Sequence, residues 1–172
     1  MDALFYLDAL PPEEARAAFL RCCGSSRWAE AMTTGRPHGT EAGLLAAAER
    51  AFAALDRPDW LEAFAHHPRI GDRAALAARF AATRGWSSSE QAGVAAARED
   101  VLDALAEANR AYEDRFGYIF IVCATGRTAP EMLGLLRERL ANPPEAELHV
   151  AAAEQAKITA LRLKKLIEEV PA

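Results

Sequence analysis

The densest group of residues able to do chemistry is His66-His67-Pro68-Arg69-Ile70-Gly71-Asp72, where imidazole, guanidinium and carboxylate meet within one short stretch. Helical patterns flank it on both sides, so the stretch is expected to be a loop. Pro68 fixes its own φ and disfavours the helical region for His67. A helix arriving through Trp60-Leu61-Glu62-Ala63-Phe64 must therefore stop near His67. Gly71 permits a tight turn, and Asp72 suits the cap of a following helix. The outcome is an imidazole held at a helix end by stiff backbone, and imidazole titrates near neutral pH, which suits proton transfer. A purely structural account is available and, on this stretch alone, outweighs catalysis. Pro-Arg-x-Gly-Asp is an ordinary helix-to-helix turn, and a histidine near a helix C-terminus favours the dipole. Metal binding is disfavoured, because adjacent side chains diverge and no cysteine or further histidine stands at ligand spacing.

The elements that must position these groups read as helices. Pro11-Pro12-Glu13-Glu14 is a helix start, and the helix should run to about Cys22 with Ala15, Phe19 and Leu20 inward. A serine in Gly24-Ser25-Ser26 caps a short helix through Trp28, Ala29 and Met32, and Thr33 to Gly39 reads as loop. Thr40-Glu41 opens a helix whose Leu44, Leu45, Ala48, Phe52 and Leu55 form an apolar stripe. Asp56-Arg57-Pro58-Asp59 breaks it, and a short helix leads to His67. An alanine-rich helix is expected over 73–83. Ser87-x-x-Glu90 followed by Gln91 matches a capping box, which accounts for both residues without any function. The long helix after it carries Val94, Val101, Leu105, Ala108 and Tyr112 on one side, with a break expected at Arg98-Glu99-Asp100.

Residues 116–124 form a nearly unbroken apolar run, Phe116-Gly117-Tyr118-Ile119-Phe120-Ile121-Val122-Cys123-Ala124. In a helical chain a lone strand has no partner, so an extended buried segment is expected, with backbone N–H groups that need acceptors from neighbouring loops or from a ligand. Gly126 to Glu131 caps the next helix, which Asn142-Pro143-Pro144 ends. The last helix runs from about Pro144 to Val170, with Leu148, Ile158, Leu161, Leu166 and Ile167 apolar. Arg162 stands four residues from both Ile158 and Leu166, where a guanidinium either snorkels outward or reaches a buried anion.

The whole chain bounds the function. Its 172 residues suit one domain, and 51% hydrophobic content with 10 Gly and 9 Pro points to helix. The expected fold is a single all-α domain, residues 1–172, of about eight helices with one extended apolar segment near 117–124. A net charge of −5 without a basic block argues against nucleic acid. No apolar run approaches about 20 residues, so no membrane association is expected. The termini show neither a signal-peptide pattern nor a peroxisomal address. The odd set Cys22, Cys23 and Cys123 fits reduced thiols in the cytoplasm, with Cys22 and Cys23 supplying one packing residue and one loop residue. No repeat, phosphate loop or zinc pattern occurs.

Four motifs in register resemble the OHCU decarboxylases (2-oxo-4-hydroxy-4-carboxy-5-ureidoimidazoline decarboxylases) of urate degradation. They are His67-Pro68-x-x-Gly71, Ser87-x-x-Glu90-Gln91, Asn109-x-x-Tyr112-x-x-x-Phe116-Gly117-Tyr118-x-Phe120, and Lys157-Ile158-x-x-Leu161-Arg162-Leu163. Cys22-Cys23-Gly24-Ser25-Ser26-Arg27-Trp28 and Asn142-x-x-x-x-Glu147-Leu148 also fit. The resemblance implies an all-helical, cofactor-free and metal-free carboxy-lyase of purine catabolism, a homodimer that yields (S)-allantoin. It implies His67 as general acid/base, Glu90 on the substrate or on His67, and Arg162 on anionic oxygen. It further implies Pro68, Ser87 and Gln91 as substrate-binding residues, with backbone from Phe120, Ile121, Val122, Cys123 and Ala124 completing the pocket. His66 stands as a competing base, and the register of Glu90 stays open. The competing functions are a helical binding module for an anionic small molecule or partner helix, without turnover, and a ureide-processing hydrolase or lyase.

Overall fold

The structure is a computed structural model that describes residues 3–68, 74, 76, 77 and 91–169. Arg69 to Asp72, most of the helix expected over 73–83, Ser87, Glu90 and the side chain of Gln91 lie outside the described residues. Among those described the fold is all-α. The helices with described bounds are α1 (Ala3–Ala9), α2 (Pro12–Cys22), α3 (Ser26–Thr34), α4 (Glu41–Ala53), α5 (Arg57–Ala65), α6 (Gln91–Phe116), α7 (Ala129–Leu140) and α8 (Pro144–Glu168), and Ala74, Leu76 and Ala77 are helical as well. The chain divides into two units. One holds residues 1–67, 121–123 and 150–172; the other holds 68–120 and 124–149.

The first unit is built on buried aromatics. Phe19 of α2 meets Trp28 of α3 edge-on at 6.1 Å, and the Trp28 indole donates to the Ala48 carbonyl of α4 at 3.2 Å. Leu44, Ala48 and Leu55 of the expected stripe are buried, and Leu45 and Phe52 pack against them. The side chain of Ser25 accepts the Trp28 N–H at 3.2 Å and so caps α3. The sequence signals for these starts hold. Helix α1 was not expected, since seven residues barely form a helix alone. Burial of Leu4 and Leu7 holds it, and the Arg36 guanidinium donates to its terminal carbonyls, Leu7 at 3.1 Å and Asp8 at 3.3 Å, and to Leu10 at 2.7 Å. Helix α3 also extends to Thr34, into the expected loop, because Met32 and Thr33 are buried.

Both vicinal cysteines pack, rather than one. Cys22 is 2% exposed and Cys23 is fully buried in the extended residue after α2, because the turn from 23 to 25 itself runs through the core. Burial pushes the Cys22 thiol up to about 12 and the Cys23 thiol upward, which makes both poor nucleophiles.

In the second unit α6 packs along α7. The expected break at Arg98-Glu99-Asp100 does not occur, and α6 runs through it. Glu99 and Asp100 are exposed there, so the acids sit on a solvated helix face instead of opening a new first turn. Thr128 and Glu131 form a reciprocal capping box at the start of α7. Gly117, with φ 81°, turns the chain out of α6. Residues 117–124 adopt neither helix nor strand, and Ile121 is buried. No described helix is long and apolar enough to cross a membrane.

Most of the aromatic and polar residues of the Tyr112 and Asn142 motifs form a knot in this unit around the buried Tyr112, Arg139 and Glu147. The Tyr112 hydroxyl donates to Glu147 Oε1 at 2.5 Å, Arg139 Nε donates to the same oxygen at 2.7 Å, and Asn142 Nδ2 donates to Glu147 Oε2 at 2.9 Å. The Arg139 guanidinium lies 4.5 Å from the centre of the Phe120 ring. Tyr112 meets the rings of Phe116, Tyr118 and Phe120. Burial and the Glu147 carboxylate push the Tyr112 phenol far above its ordinary range. These residues account for themselves as packing.

Candidate active site

His67 is delivered by α5. Asp56 and Asp59 form a capping box at its start, and Ala63 and Phe64 bury its inner face. Two contacts tie α5 to the start of α3. The Ser26 N–H donates to the Glu62 carboxylate, and Arg27 pairs with Asp59 at 3.0 Å. The helix closes in a tightened last turn, with the N–H groups of His66 and His67 donating to Ala63 and Phe64 carbonyls at 3.3 and 3.2 Å. Pro68 then prevents continuation. A Cβ added at Gly24 would overlap the His66 side chain, so glycine lets the turn after α2 pass directly beside His66.

Opposite the His67 ring stands α8. Its inward face is Ala151, Ala152, Gln155, Thr159, Leu163 and Leu166, a 3–4-residue stripe. Ile158 and Leu161 were expected on that face, yet Ile158 is half-buried and Leu161 is 37% exposed. The polar Gln155 and Thr159 take the inner positions because each has a partner there. His67 Nε2 lies 2.5 Å from Gln155 Oε1, Gln155 Nε2 donates to Thr159 Oγ1 at 3.1 Å, and Arg162 Nη2 lies 3.5 Å from His67 Nδ1. Burial, and next the Arg162 and His66 charges, push the His67 pKa below its ordinary value, against an opposing hydrogen bond to Gln155. The neutral imidazole is therefore favoured, with a guanidinium at its side to attract an anion. That arrangement can bind a carboxylate or polarised oxygen and accept a proton from a neighbouring hydroxyl.

The same unit holds Ile121 to Cys123. The Cys123 N–H donates to Glu154 Oε2 at 2.8 Å, and the other Glu154 oxygen pairs with Lys157 at 2.8 Å. This segment's need for acceptors is thus met at Cys123 by α8. Val122 and Cys123 are partly exposed. Pro68, Phe120 and Ala124 belong to the second unit; Pro68 is exposed, and Phe120 and Ala124 are half-buried. The structure therefore brings His67 and Arg162 together, while His66 is exposed beside them. Gln155, Thr159 and Glu154 were missed in the sequence. Their available signal was position: Gln155 and Thr159 lie seven and three residues before Arg162, on a helix face otherwise filled by alanine and leucine. Among the described residues, no group of three or more His, Cys, Asp and Glu side chains is arranged to hold a metal ion.

A family model described as OHCU decarboxylase matches residues 8–164. The uric acid degradation bifunctional protein TTL of Arabidopsis thaliana is 41% identical over 148 residues, 86% of this chain and 46% of that protein. The 2-oxo-4-hydroxy-4-carboxy-5-ureidoimidazoline decarboxylase of Amia calva is 42% identical over 60 residues, 35% of this chain and 34% of that one. An OHCU decarboxylase whose crystal structure was determined in the presence of (S)-allantoin superposes with a TM-score of 0.70 at 41% identity, covering 88% of this chain and 97% of that chain. The chain spans less than half the length of these two curated relatives. The family model runs through α5, the 121–123 segment and α8 to residue 164, past Arg162, and the chain belongs to the OHCU decarboxylase family.

Proposed function

We propose that this chain decarboxylates 2-oxo-4-hydroxy-4-carboxy-5-ureidoimidazoline to (S)-allantoin without a cofactor. The observation that carries the reading is the Nδ1 edge of His67 beside the Arg162 guanidinium, in a chain of this family. Arg162 binds the substrate through anionic or carbonyl oxygen. His67 takes the hydroxyl proton as the C–CO2 bond breaks. The electron pair left by CO2 flows into the adjacent ring C=N, so the substrate is its own electron sink. Reprotonation on one face gives a single enantiomer, and one further proton from solvent balances the carboxylate consumed. The Ile121 to Cys123 backbone contributes pocket wall as an extended apolar segment, and Ser87, Glu90 and Gln91 bind substrate, as the family pattern supports. We read the chain as one domain that works as a cytoplasmic homodimer, with neither nucleic acid nor membrane as a partner.

Steady-state kinetics test the assignment. His67→Ala should lower kcat by about 100-fold or more, the range for a lost general base, with little change in KM. Arg162→Ala should mainly raise KM, by about tenfold or more for a lost charged hydrogen bond. Near-wild-type kinetics in both variants would reject the site. Saturable ligand binding without turnover in the unmodified protein would point instead to a binding module.

A further inference from the structure

We propose that Gln155 is a positioning residue for the reaction, holding His67 in the neutral tautomer whose proton sits on Nε2, so that Nδ1 is the nitrogen that takes the substrate proton. The inference rests on the reading of His67 as the general base.

The proton positions follow from two ends of one chain of hydrogen bonds, part-buried at His67 and Arg162 and buried at Gln155 and Thr159. At one end stands Arg162. A guanidinium only donates, and its Nη2 lies 3.5 Å from His67 Nδ1. A proton on Nδ1 would face that cation, so Nδ1 keeps its lone pair and the ring proton sits on Nε2. Nε2–H then donates to Gln155 Oε1 at 2.5 Å. The other end fixes the amide. Gln155 Nε2 donates to Thr159 Oγ1 at 3.1 Å. Turning the amide over would aim an N–H at His67 Nε2 and drive the ring proton onto Nδ1, against Arg162. Only one amide orientation satisfies every member of the chain.

Burial makes that choice firm. Gln155 and Cys23 are fully buried and Thr159 is 3% exposed. A buried amide costs free energy unless its donors and acceptor are met. Alanine or leucine, which fill the neighbouring inward positions of α8, would carry no such cost. The glutamine carries it and in return selects one ring tautomer, as an acceptor behind a working histidine does in general.

The test is a long-range 1H–15N correlation of the full chain, labelled at histidine nitrogen, together with turnover of the substrate. Wild type should show a pyrrole-type Nε2 and a pyridine-type Nδ1 for His67. Gln155→Leu should mix the tautomers and lower kcat by about tenfold to 100-fold, the range for lost partners that orient a histidine, with KM within about twofold. Gln155→Glu keeps the acceptor and should recover both the ring pattern and most of kcat. Where Gln155→Leu does not fold, Thr159→Val frees the amide to turn and should give the same mixed pattern. A wild-type ring protonated on Nδ1, or a Gln155→Leu variant with unchanged ring signals and kcat, would overturn the proposal. His67→Asn separates the two readings: turnover that survives it removes the base reading itself, whereas turnover lost in His67→Asn but intact in Gln155→Leu removes only the role of Gln155.

Discussion

At the scale of the residue, the decisive property is the charge state of His67. Burial is the largest influence and lowers its pKa below the ordinary 6.5, and the Arg162 and His66 charges act in the same direction. The protonated ring is thus less favoured in the folded chain than in the unfolded one. The stability this confers is present above the unfolded value and is lost as pH falls through the lower, folded value. For a general base the same shift extends activity into acid. The acid limb of kcat/KM, which reports the free enzyme, should therefore fall below pH 6.5, and Arg162→Ala should move it upward; a limb at or above 6.5 in the unmodified protein would contradict the assignment. His67 was legible because Pro68 follows it and dictates a helix end. Arg162 was legible as a cation beside an apolar ridge. Gln155 was not, because it meets His67 across 88 residues of sequence, and no local pattern encodes a contact at that separation.

The elements show why so few side chains suffice to place the ring. Helix α5 is short, with nine residues, and it is fixed at its start by its own capping box, along its length by Glu62 bonded to Ser26 at the start of α3, and at its end by the turn at Gly24 packed against His66. Gly24→Ala introduces a methyl group where the His66 side chain stands, so α5 or the turn must give way. We expect a loss of about 1–3 kcal/mol, the usual cost of overpacking, measured by urea unfolding, with a fall in kcat because His67 moves with its neighbour. Unchanged stability and turnover would show that the approach is not restrictive. A second expectation concerns Glu147. It is fully buried and paired with Arg139 at 2.5 Å, so Glu147→Leu takes the buried carboxylate away from a buried guanidinium and should cost about 3–5 kcal/mol. Replacing Arg139 with Met as well should restore much of that loss, which chemical denaturation of the single and double variants would show. Helix starts were the most legible feature, since Ser25, Thr40, Asp56 and Thr128 each sit at a cap that local chemistry defines. The inward face of α8 was misread because its buried positions are alanine, glutamine and threonine, which a search for large apolar residues passes over.

At the scale of the whole molecule, an all-α chain of alanine-rich helices with a net charge of −5 has no fold-level feature that names its chemistry. What distinguished it were four short motifs in order. Two of them bring His67 and Arg162 together, whereas Tyr112 of a third joins Asn142 and Glu147 in a part-buried knot of rings and charges. Membership of the family was thus readable from residues that pack in the core as well as from His67 and Arg162. The central claim is that the chain turns over an unstable hydroxy acid to one enantiomer, and the most direct test is circular dichroism during urate breakdown, with the substrate generated in the cuvette by urate oxidase and hydroxyisourate hydrolase. The account predicts a rapid (S)-allantoin signal that depends on this protein and is lost in His67→Ala. A slow decay without optical activity, identical with and without the protein, would contradict it.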